Sequence, residues 1–204
     1  MTRMESHEIT TFNFLSRGIK MTDTIKEFRD GIFALRTRRF GTVAELMIET
    51  LFKYHQSHNQ FHDRYDYATC SRVEIKFSTV MKENDARIYA ANLIDQCVKA
   101  NVSNRSMKST EIKDFGFDCN IQQIKRAEFD VLYYGLFFSD KIAIFKITSD
   151  DVLTCPGYSK YQHKGNEGEG QFHLNQGSID WHLEKKFVQW LDYEELYNLF
   201  STNT

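Results

Sequence analysis

The chain lacks the sequence features that mark zinc, redox and membrane proteins. Its 204 residues contain no Cys-x-x-Cys pair, which argues against a zinc site or a redox motif. The first residues have no apolar signal core, and no apolar run approaches the roughly 18 residues that a transmembrane helix needs. We therefore expect a cytoplasmic protein with reduced thiols, at Cys70, Cys97, Cys119 and Cys155.

An excess of charge of either sign is also missing. The formal net charge is -2 at pH 7, whereas a protein that binds nucleic acid over a whole face is usually basic. Any DNA binding would therefore need a local basic cleft. The length predicts one domain over residues 1–204, with the polar residues 1–20 as a loosely attached arm.

Residues 63–78 are the segment around which we expect the protein to be organised. Val73, Ile75 and Phe77 alternate with polar residues, which predicts a half-buried strand on one arm of a hairpin. Glu74 and Lys76 then share one face, about 6 to 7 Å apart along the strand. An acidic residue on the preceding strand would supply the second oxygen ligand of a hard divalent cation.

The pattern of Asp66, seven residues and Glu74-Ile75-Lys76 resembles the PD-(D/E)xK nuclease superfamily, and a chain of this size resembles a type II restriction endonuclease. The resemblance implies an α/β fold with a restriction-endonuclease-like mixed β-sheet flanked by helices. It also implies Mg²⁺ bound by Asp66, Glu74 and the carbonyl of Ile75, with Lys76 as a catalytic residue. The proline of the family motif is absent, because Tyr65 precedes Asp66.

The acid-x-Lys triplet occurs three times, at Glu74, Glu111 and Glu184. Only Glu74 combines strand alternation with a nearby upstream aspartate. Glu111, with Lys113, falls in a polar segment over residues 100–118 and stays a weaker alternative. The residues around Glu184 do not keep the alternation of a strand, so we discount that triplet.

The length of the hairpin turn determines which aspartate is the partner of Glu74. Residues directly opposite each other in an antiparallel pair point to the same face. A three-residue turn places Asp66 opposite Glu74, whereas a two-residue turn favours Asp63. We favour Asp66, because the resemblance places the first acid within the strand.

A core helix is predicted over residues 42–54, and Glu45 has two possible roles in it. Thr42 and Glu45 have the spacing of a capping box, in which the glutamate closes the start of the helix. The resemblance instead places Glu45 beside the metal as a catalytic residue, with Glu49 as its substitute. Arg38 and Arg39, which precede this helix, fit phosphate contacts or a solvated C-terminus of the preceding helix.

The segment over residues 156–177 is the strongest candidate for reading a DNA sequence, since five of the ten glycines lie there. Gln and Asn can bond an adenine edge, and Gly lets the backbone approach a groove. We expect a loop that contacts DNA through Lys160, Gln162, His163, Lys164, Asn166, Gln171, His173 and Asn175.

Other segments have clear secondary-structure patterns. Amphipathic helices are predicted over residues 23–35 and 85–99, and the second should bury Ile88, Leu93, Ile94, Cys97 and Val98. An apolar run over residues 129–138 predicts a central strand, followed by its hairpin partner over residues 141–147. A capping box of Asp192 and Glu195 predicts a last helix. Just before the central strand, Gln122, Gln123, Lys125 and Arg126 fit either a surface turn or phosphate contacts.

The expected activity is Mg²⁺-dependent, sequence-specific cleavage of double-stranded DNA to 5′-phosphate and 3′-hydroxyl ends. A palindromic target would require a homodimer, because a two-fold protein matches a two-fold site. Two alternatives remain open. One is a repair nickase or junction-resolving nuclease of the same superfamily, and the other is a DNA-binding protein that keeps the fold without the chemistry.

Overall fold

The computed structural model describes residues 22–84, 86–162 and 168–201. In these ranges the helices are α1 (residues 22–34), α2 (Thr37–Phe52), α3 (Leu93–Lys99), α4 (Val102–Arg105), α5 (Ile179–Lys185) and α6 (Tyr193–Ser201). The strands are β1 (His55–Gln56), β2 (Arg64–Asp66), β3 (Ser71–Thr79), β4 (Asp118–Ile124), β5 (Val131–Phe137), β6 (Lys141–Thr148), β7 (Gly170–Asn175) and β8 (Phe187–Asp192). Short 3₁₀ turns occupy Ser109–Glu111 and Asp151–Thr154.

Six of these strands form one mixed sheet in the order β1-β2-β3-β5-β6-β8. The β3–β5 pair is parallel, and the other pairs in this sheet are antiparallel. Strands β4 and β7 form a separate antiparallel pair. The predicted α/β class is confirmed as a mostly antiparallel sheet flanked by helices. The predicted central strand is confirmed as β5, which lies between β3 and β6.

The two faces of the large sheet bury different apolar clusters because side chains alternate along each strand. Val73 and Ile75 pack with Met47 and Ile48 of α2 on one face. Leu132 and Tyr134 pack on the other face, with residues of β4 and β7. Glu74 and Lys76 alternate with Val73 and Ile75, so they lie on the β4–β7 side of the sheet.

Helix α2 begins six residues earlier than the capping-box spacing predicted, since its N-cap is Arg36 rather than Thr42. It starts at Thr37 after Arg36, so Thr42 and Glu45 lie inside the helix and the predicted capping box is wrong. The hydroxyl of Thr42 instead donates to the carbonyl of Arg38 at 3.2 Å. The buried apolar face of α2 stabilises a helix that runs through Gly41, although glycine costs about 1 kcal/mol in a helix interior.

Helix α3 is shorter and more exposed than predicted. It spans seven residues and buries Gln96, whose side-chain carbonyl accepts a hydrogen bond from Asn84 at 2.8 Å. The five residues expected to be buried are exposed instead, namely Ile88, Leu93, Ile94, Cys97 and Val98. The apolar spacing was misleading because residues 86–89 are irregular and the helix turns a polar residue inward. The expected helix cap, Asp85, lies outside the described residues.

Helix α6 begins with the predicted capping box. The backbone N–H of Glu195 donates to Asp192 at 2.8 Å, and the N–H of Asp192 donates to Glu195 at 2.9 Å. These reciprocal bonds satisfy two amides at the start of the helix. Local sequence therefore determined this helix end.

The four cysteines are free thiols. Among the described residues, no helix is both long enough and apolar enough to cross a membrane.

Candidate functional site

The register of the β2–β3 hairpin places Asp66 away from Glu74. A four-residue turn over residues 67–70 joins the strands, and Asp66 pairs with Ser71. Ser71 shares its face with Val73, which packs against α2, whereas Glu74 lies on the opposite face. The expectation that Asp66 lies opposite Glu74 is therefore wrong, because the turn is even in length rather than odd.

Asp66 instead organises the turn that follows it. Its carboxylate accepts the backbone N–H of Ala68 at 2.9 Å and the hydroxyl of Thr69 at 2.7 Å. The bond from Thr69 is the main reason why the pKa of Asp66 is lowered. Asp66 thus has hydrogen-bond partners that account for its position at the end of a strand.

Asp63 is the aspartate that lies beside Glu74 and Lys76. Its backbone N–H donates to the carbonyl of Val73 at 3.1 Å, which continues the antiparallel pairing by one residue. Its carboxylate accepts the N–H of Ile75 at 2.9 Å and lies 3.8 Å from the ammonium of Lys76. The even turn therefore brings Asp63, which the sequence left as the alternative to Asp66, next to Glu74 and Lys76.

Glu74 and Lys76 form an ion pair on β3. Only 12% of the Glu74 side chain is exposed. Burial, with a further contribution from the charge of Asp63, raises the pKa of Glu74 to about 7. Burial alone would lower the pKa of Lys76, but the charges of Glu74 and Asp63 outweigh it and raise that pKa. Lys76 is therefore charged at neutral pH, whereas Glu74 titrates near neutrality.

These three side chains line an open pocket of about 210 Å³. One wall is the β2–β3 hairpin with the segment that leads into it, including His62. The opposite wall comes from β4 and the segments beside the β4–β7 pair, and its residues are Gln123, Lys125, Glu128 and Glu169. Four carboxylates and two lysines share this pocket, so its formal charge is negative and favours a cation.

Glu45 and Glu49 are both bound by Arg64, which is 7% exposed. The guanidinium contacts Glu49 at 2.5 Å and Glu45 at 3.3 Å. Burial, followed by the charge of Asp63, raises the pKa of Glu45. The charge of Asp63 therefore acts on Glu45. The ion-pair partner of Glu45 is Arg64, however, and Glu45 does not line the pocket.

The chain matches no protein-family model and no curated protein.

The donor set of the pocket fits a hard cation with few protein ligands. Among the described residues, no group of three or more His, Cys, Asp or Glu side chains is arranged to hold a metal ion. Asp63 and Glu74 are two carboxylates from adjacent segments, and Mg²⁺ commonly binds one or two carboxylates while keeping several waters. The residues present fit Mg²⁺ in this mode.

The expected DNA-contacting residues lie in two different places. Arg38 and Arg39 are exposed in the first turn of α2, at a helix N-terminus rather than the C-terminus considered above. Lys160 and Gln162 precede β7, and Gln162 bonds Gln122 at 3.0 Å. Of the remaining residues expected there, His163, Lys164 and Asn166 lie outside the described residues.

The expectation of a loop is wrong for Gly170–Asn175, which is strand β7. Phe172 and Leu174 are buried there, which is the alternation of a strand packed on one face. Gln171, His173 and Asn175 share the outer face, and each has a partner. Gln171 accepts a bond from Asn120 at 3.1 Å, His173 contacts Asp118 at 2.8 Å, and Asn175 accepts the N–H of Ser178 at 3.0 Å.

In the other two acid-x-Lys triplets, the glutamate and the lysine have different ion-pair partners and do not pair with each other. Glu111 pairs with Lys82 at 2.9 Å, and Lys113 pairs with Asp180 at 2.5 Å. Glu184 lies in α5, as the missing strand alternation indicated. Neither triplet lines the pocket that contains Glu74.

No local pattern indicated a site role for Glu128 or Glu169, and Gln123 and Lys125 fitted a surface turn as well as phosphate contacts. These residues are 49 to 95 positions from Glu74 in the sequence and reach the pocket through the packing of the β4–β7 pair on the large sheet. For Gln123 and Lys125, the polar run before the central strand was the only local pattern that indicated a possible site role.

Proposed function

We propose that the protein is a Mg²⁺-dependent endonuclease of double-stranded DNA, built on a restriction-endonuclease-like fold. One observation carries the proposal. Asp63 and Glu74, from adjacent segments of a hairpin, converge on Lys76 at the wall of an open pocket. Two carboxylates and a lysine in this arrangement are the groups that metal-assisted phosphodiester hydrolysis requires.

The order of elements supports the proposed fold. Helix α2 precedes an antiparallel hairpin, and the hairpin strand with Glu74 and Lys76 then pairs in parallel with β5. The site strand β3 therefore lies within the sheet, and its ladder with β5 holds Glu74 and Lys76 in a rigid relation. A rigid support is what positions catalytic groups within a fraction of an ångström.

Each side chain has a distinct role in the proposed reaction. Asp63 and Glu74, with the carbonyl of Ile75, would hold the cation, which supplies polarisation of the phosphate and a lowered pKa for bound water. Lys76 orients the attacking water and stabilises the negative charge that develops on the phosphorane. The backbone bond from Ile75 fixes the Asp63 carboxylate for its role.

Contacts outside the pocket would give affinity and sequence selection. Arg38 and Arg39 are exposed and suit phosphate contacts, which position a protein on DNA without reading sequence. The outer face of β7, together with Lys160 and Gln162, is polar and suits contacts to base edges. Two copies of the chain related by a two-fold axis would cut both strands of a palindromic site.

The experiment is incubation of the full chain with a supercoiled plasmid of known sequence and Mg²⁺, followed by mapping of the ends. Discrete fragments with fixed ends support the proposal, and Glu74→Ala should abolish them. Lys113→Ala is the matched control and should cut like the wild type.

The alternatives give different results in the same assay. Nicked circles without linear product favour a repair nickase, and cleavage restricted to branched DNA favours a junction-resolving enzyme. DNA that is bound but stays intact favours a non-catalytic binding protein. A chain that neither binds nor cuts DNA removes the proposal.

A further inference from the structure

Strand β4 has a β-bulge at the pocket. Ile121 pairs with Phe172 and Ile124 pairs with Gly170, so Gln122 and Gln123 on one strand face a single residue on the other. Gln123 has a φ of 59°, which is in the left-handed region. Residues other than glycine rarely adopt that region, and glutamine is not among those enriched there.

The bulge determines which side chain enters the pocket. Ile121 and Ile124 are both buried, although they are three positions apart. In a regular strand the residue two positions after Ile121 would point to the core. The extra residue lets both isoleucines face the core while Gln122 and Gln123 point outward, and Gln123 lines the pocket with Glu74. Bulges beside active sites commonly redirect a side chain in this way.

The side chain of Gln123 makes no hydrogen bond with another described residue that would compensate for this strained backbone. Within the part of the chain that the structure describes, the Gln123 amide has no hydrogen-bond partner. The neighbouring Gln122, in contrast, bonds Gln162 at 3.0 Å and does not line the pocket. A strained residue at a pocket wall is a pointer to a ligand, because backbone strain concentrates at binding sites.

Lys125 adds a positive charge next to Gln123 on the same wall. Its ammonium lies 3.8 Å from Glu128 and 3.8 Å from Glu169, the outer range for an ion pair. The wall opposite Asp63 and Glu74 thus presents an amide that can donate and an ammonium that is loosely held. Both groups suit the non-bridging oxygens of a phosphodiester.

We propose that Gln123 is a substrate-binding residue whose side-chain amide donates a hydrogen bond to a phosphate of the DNA strand in the pocket. The bulge in β4 holds it there, and Lys125 contributes charge to the same contact. This inference rests on the proposed nuclease function. It assigns a role in substrate binding to the pocket wall opposite Asp63 and Glu74.

Two variants of the full chain separate the backbone strain from the amide. Gln123→Gly removes the side chain and also relieves the strain, because glycine adopts positive φ freely. Gln123→Ala removes the amide but keeps a Cβ and therefore the strain. Both should raise KM for a labelled duplex about tenfold, the loss expected for one hydrogen bond to a charged group, with kcat reduced less. Gln123→Gly alone should raise the Tm.

Gln56→Ala is the matched control, since this glutamine is exposed in β1 and does not line the pocket. Its KM should stay within about twofold of the wild type, a change of less than about 0.4 kcal/mol. A wild type that cleaves DNA while both Gln123 variants keep its KM overturns this inference alone. A Gln123→Gly variant with a lower Tm than Gln123→Ala overturns the strain argument. A wild type that neither binds nor cleaves DNA overturns the proposed function and this inference with it.

Discussion

The carboxylate of Asp63 accepts the backbone N–H of Ile75 at 2.9 Å. Because Ile75 lies between Glu74 and Lys76, this bond ties the aspartate to the strand that holds both other members of the site. The bond belongs to the backbone of β3, so substitution of the Ile75 side chain leaves it intact. This bond places Asp63, rather than Asp66, where its carboxylate could bind a cation in the pocket.

Replacement of the two aspartates should separate their roles. Asp63→Asn keeps an oxygen that can accept the Ile75 N–H but removes the charge, so we expect Mg²⁺-dependent cleavage to fall at least about 100-fold. Asp66→Asn should leave the cleavage rate within about threefold, since the hydrogen bonds of Asp66 to described residues all lie within its turn, where an Asn oxygen also accepts backbone N–H groups. Rates of plasmid cleavage measure both. A larger loss in Asp66→Asn would mean that the hairpin pairs differently in solution.

Lys76→Met should strongly reduce the cleavage rate while DNA binding persists. The substitution removes the ammonium that stabilises transition-state charge, which is typically a loss of about 10² to 10³ in kcat. Fluorescence anisotropy with a labelled duplex should show an affinity close to that of the wild type. An inactive Lys113→Ala beside an active Lys76→Met would instead move the site to the triplet at Glu111.

Cation binding should strengthen as the pH rises through about 7. The pKa of Glu74 is raised to about 7 by burial, and a metal ligand must be deprotonated to bind. The stability of the metal-free protein should depend on pH in the opposite direction. A carboxyl whose pKa is raised in the folded state stabilises the fold at low pH. This stabilisation is lost as the pH rises from the pKa of the unfolded state to the folded-state pKa of about 7.

The measurement is the Tm with and without Mg²⁺ at pH 6 and pH 8. We expect a larger Mg²⁺-induced increase in Tm at pH 8, and a smaller, pH-independent increase in Glu74→Gln. An equal increase at both pH values would show that Glu74 does not bind the ion.

Arg64→Gln should destabilise the fold. Arg64 is buried and bonds both Glu45 and Glu49 on α2, so its loss leaves two carboxylates without their cation. Removing one partner of a buried pair costs about 3 to 5 kcal/mol, and we expect about 2 to 3 kcal/mol because the glutamates are about one-third exposed. Urea denaturation measures the change. Arg105→Gln, on a short exposed helix, should change stability by less than about 0.5 kcal/mol.

The double variant Arg38→Ala, Arg39→Ala should bind DNA more weakly and yet be slightly more stable. Cations in the first turn of α2 oppose the helix dipole, so their removal should stabilise the protein by about 0.5 kcal/mol. The slope of log affinity against log salt should fall by about 1.8 if both contact phosphates. An unchanged salt slope would exclude these arginines from the DNA interface.

Local pattern was sufficient for several parts of this fold. The apolar run that became β5, the alternation of Val73 and Ile75 in β3, and the capping box of Asp192 and Glu195 each depend on neighbours a few residues apart. It was insufficient where a helix face was inferred from spacing alone, as at Ile94, which is 81% exposed. Spacing shows that apolar residues share a face, but not that another element covers that face.

The sequence by itself determined that Glu74 and Lys76 share one face of a strand, because side-chain alternation is a property of the extended backbone. Only the tertiary structure decided which aspartate joins them, since a single residue in the length of a turn exchanges the two faces of a strand. It also decided that Gln123 and Lys125 form the opposite wall. Their contact with the site arises from the packing of one sheet against another, and no local pattern specifies that packing.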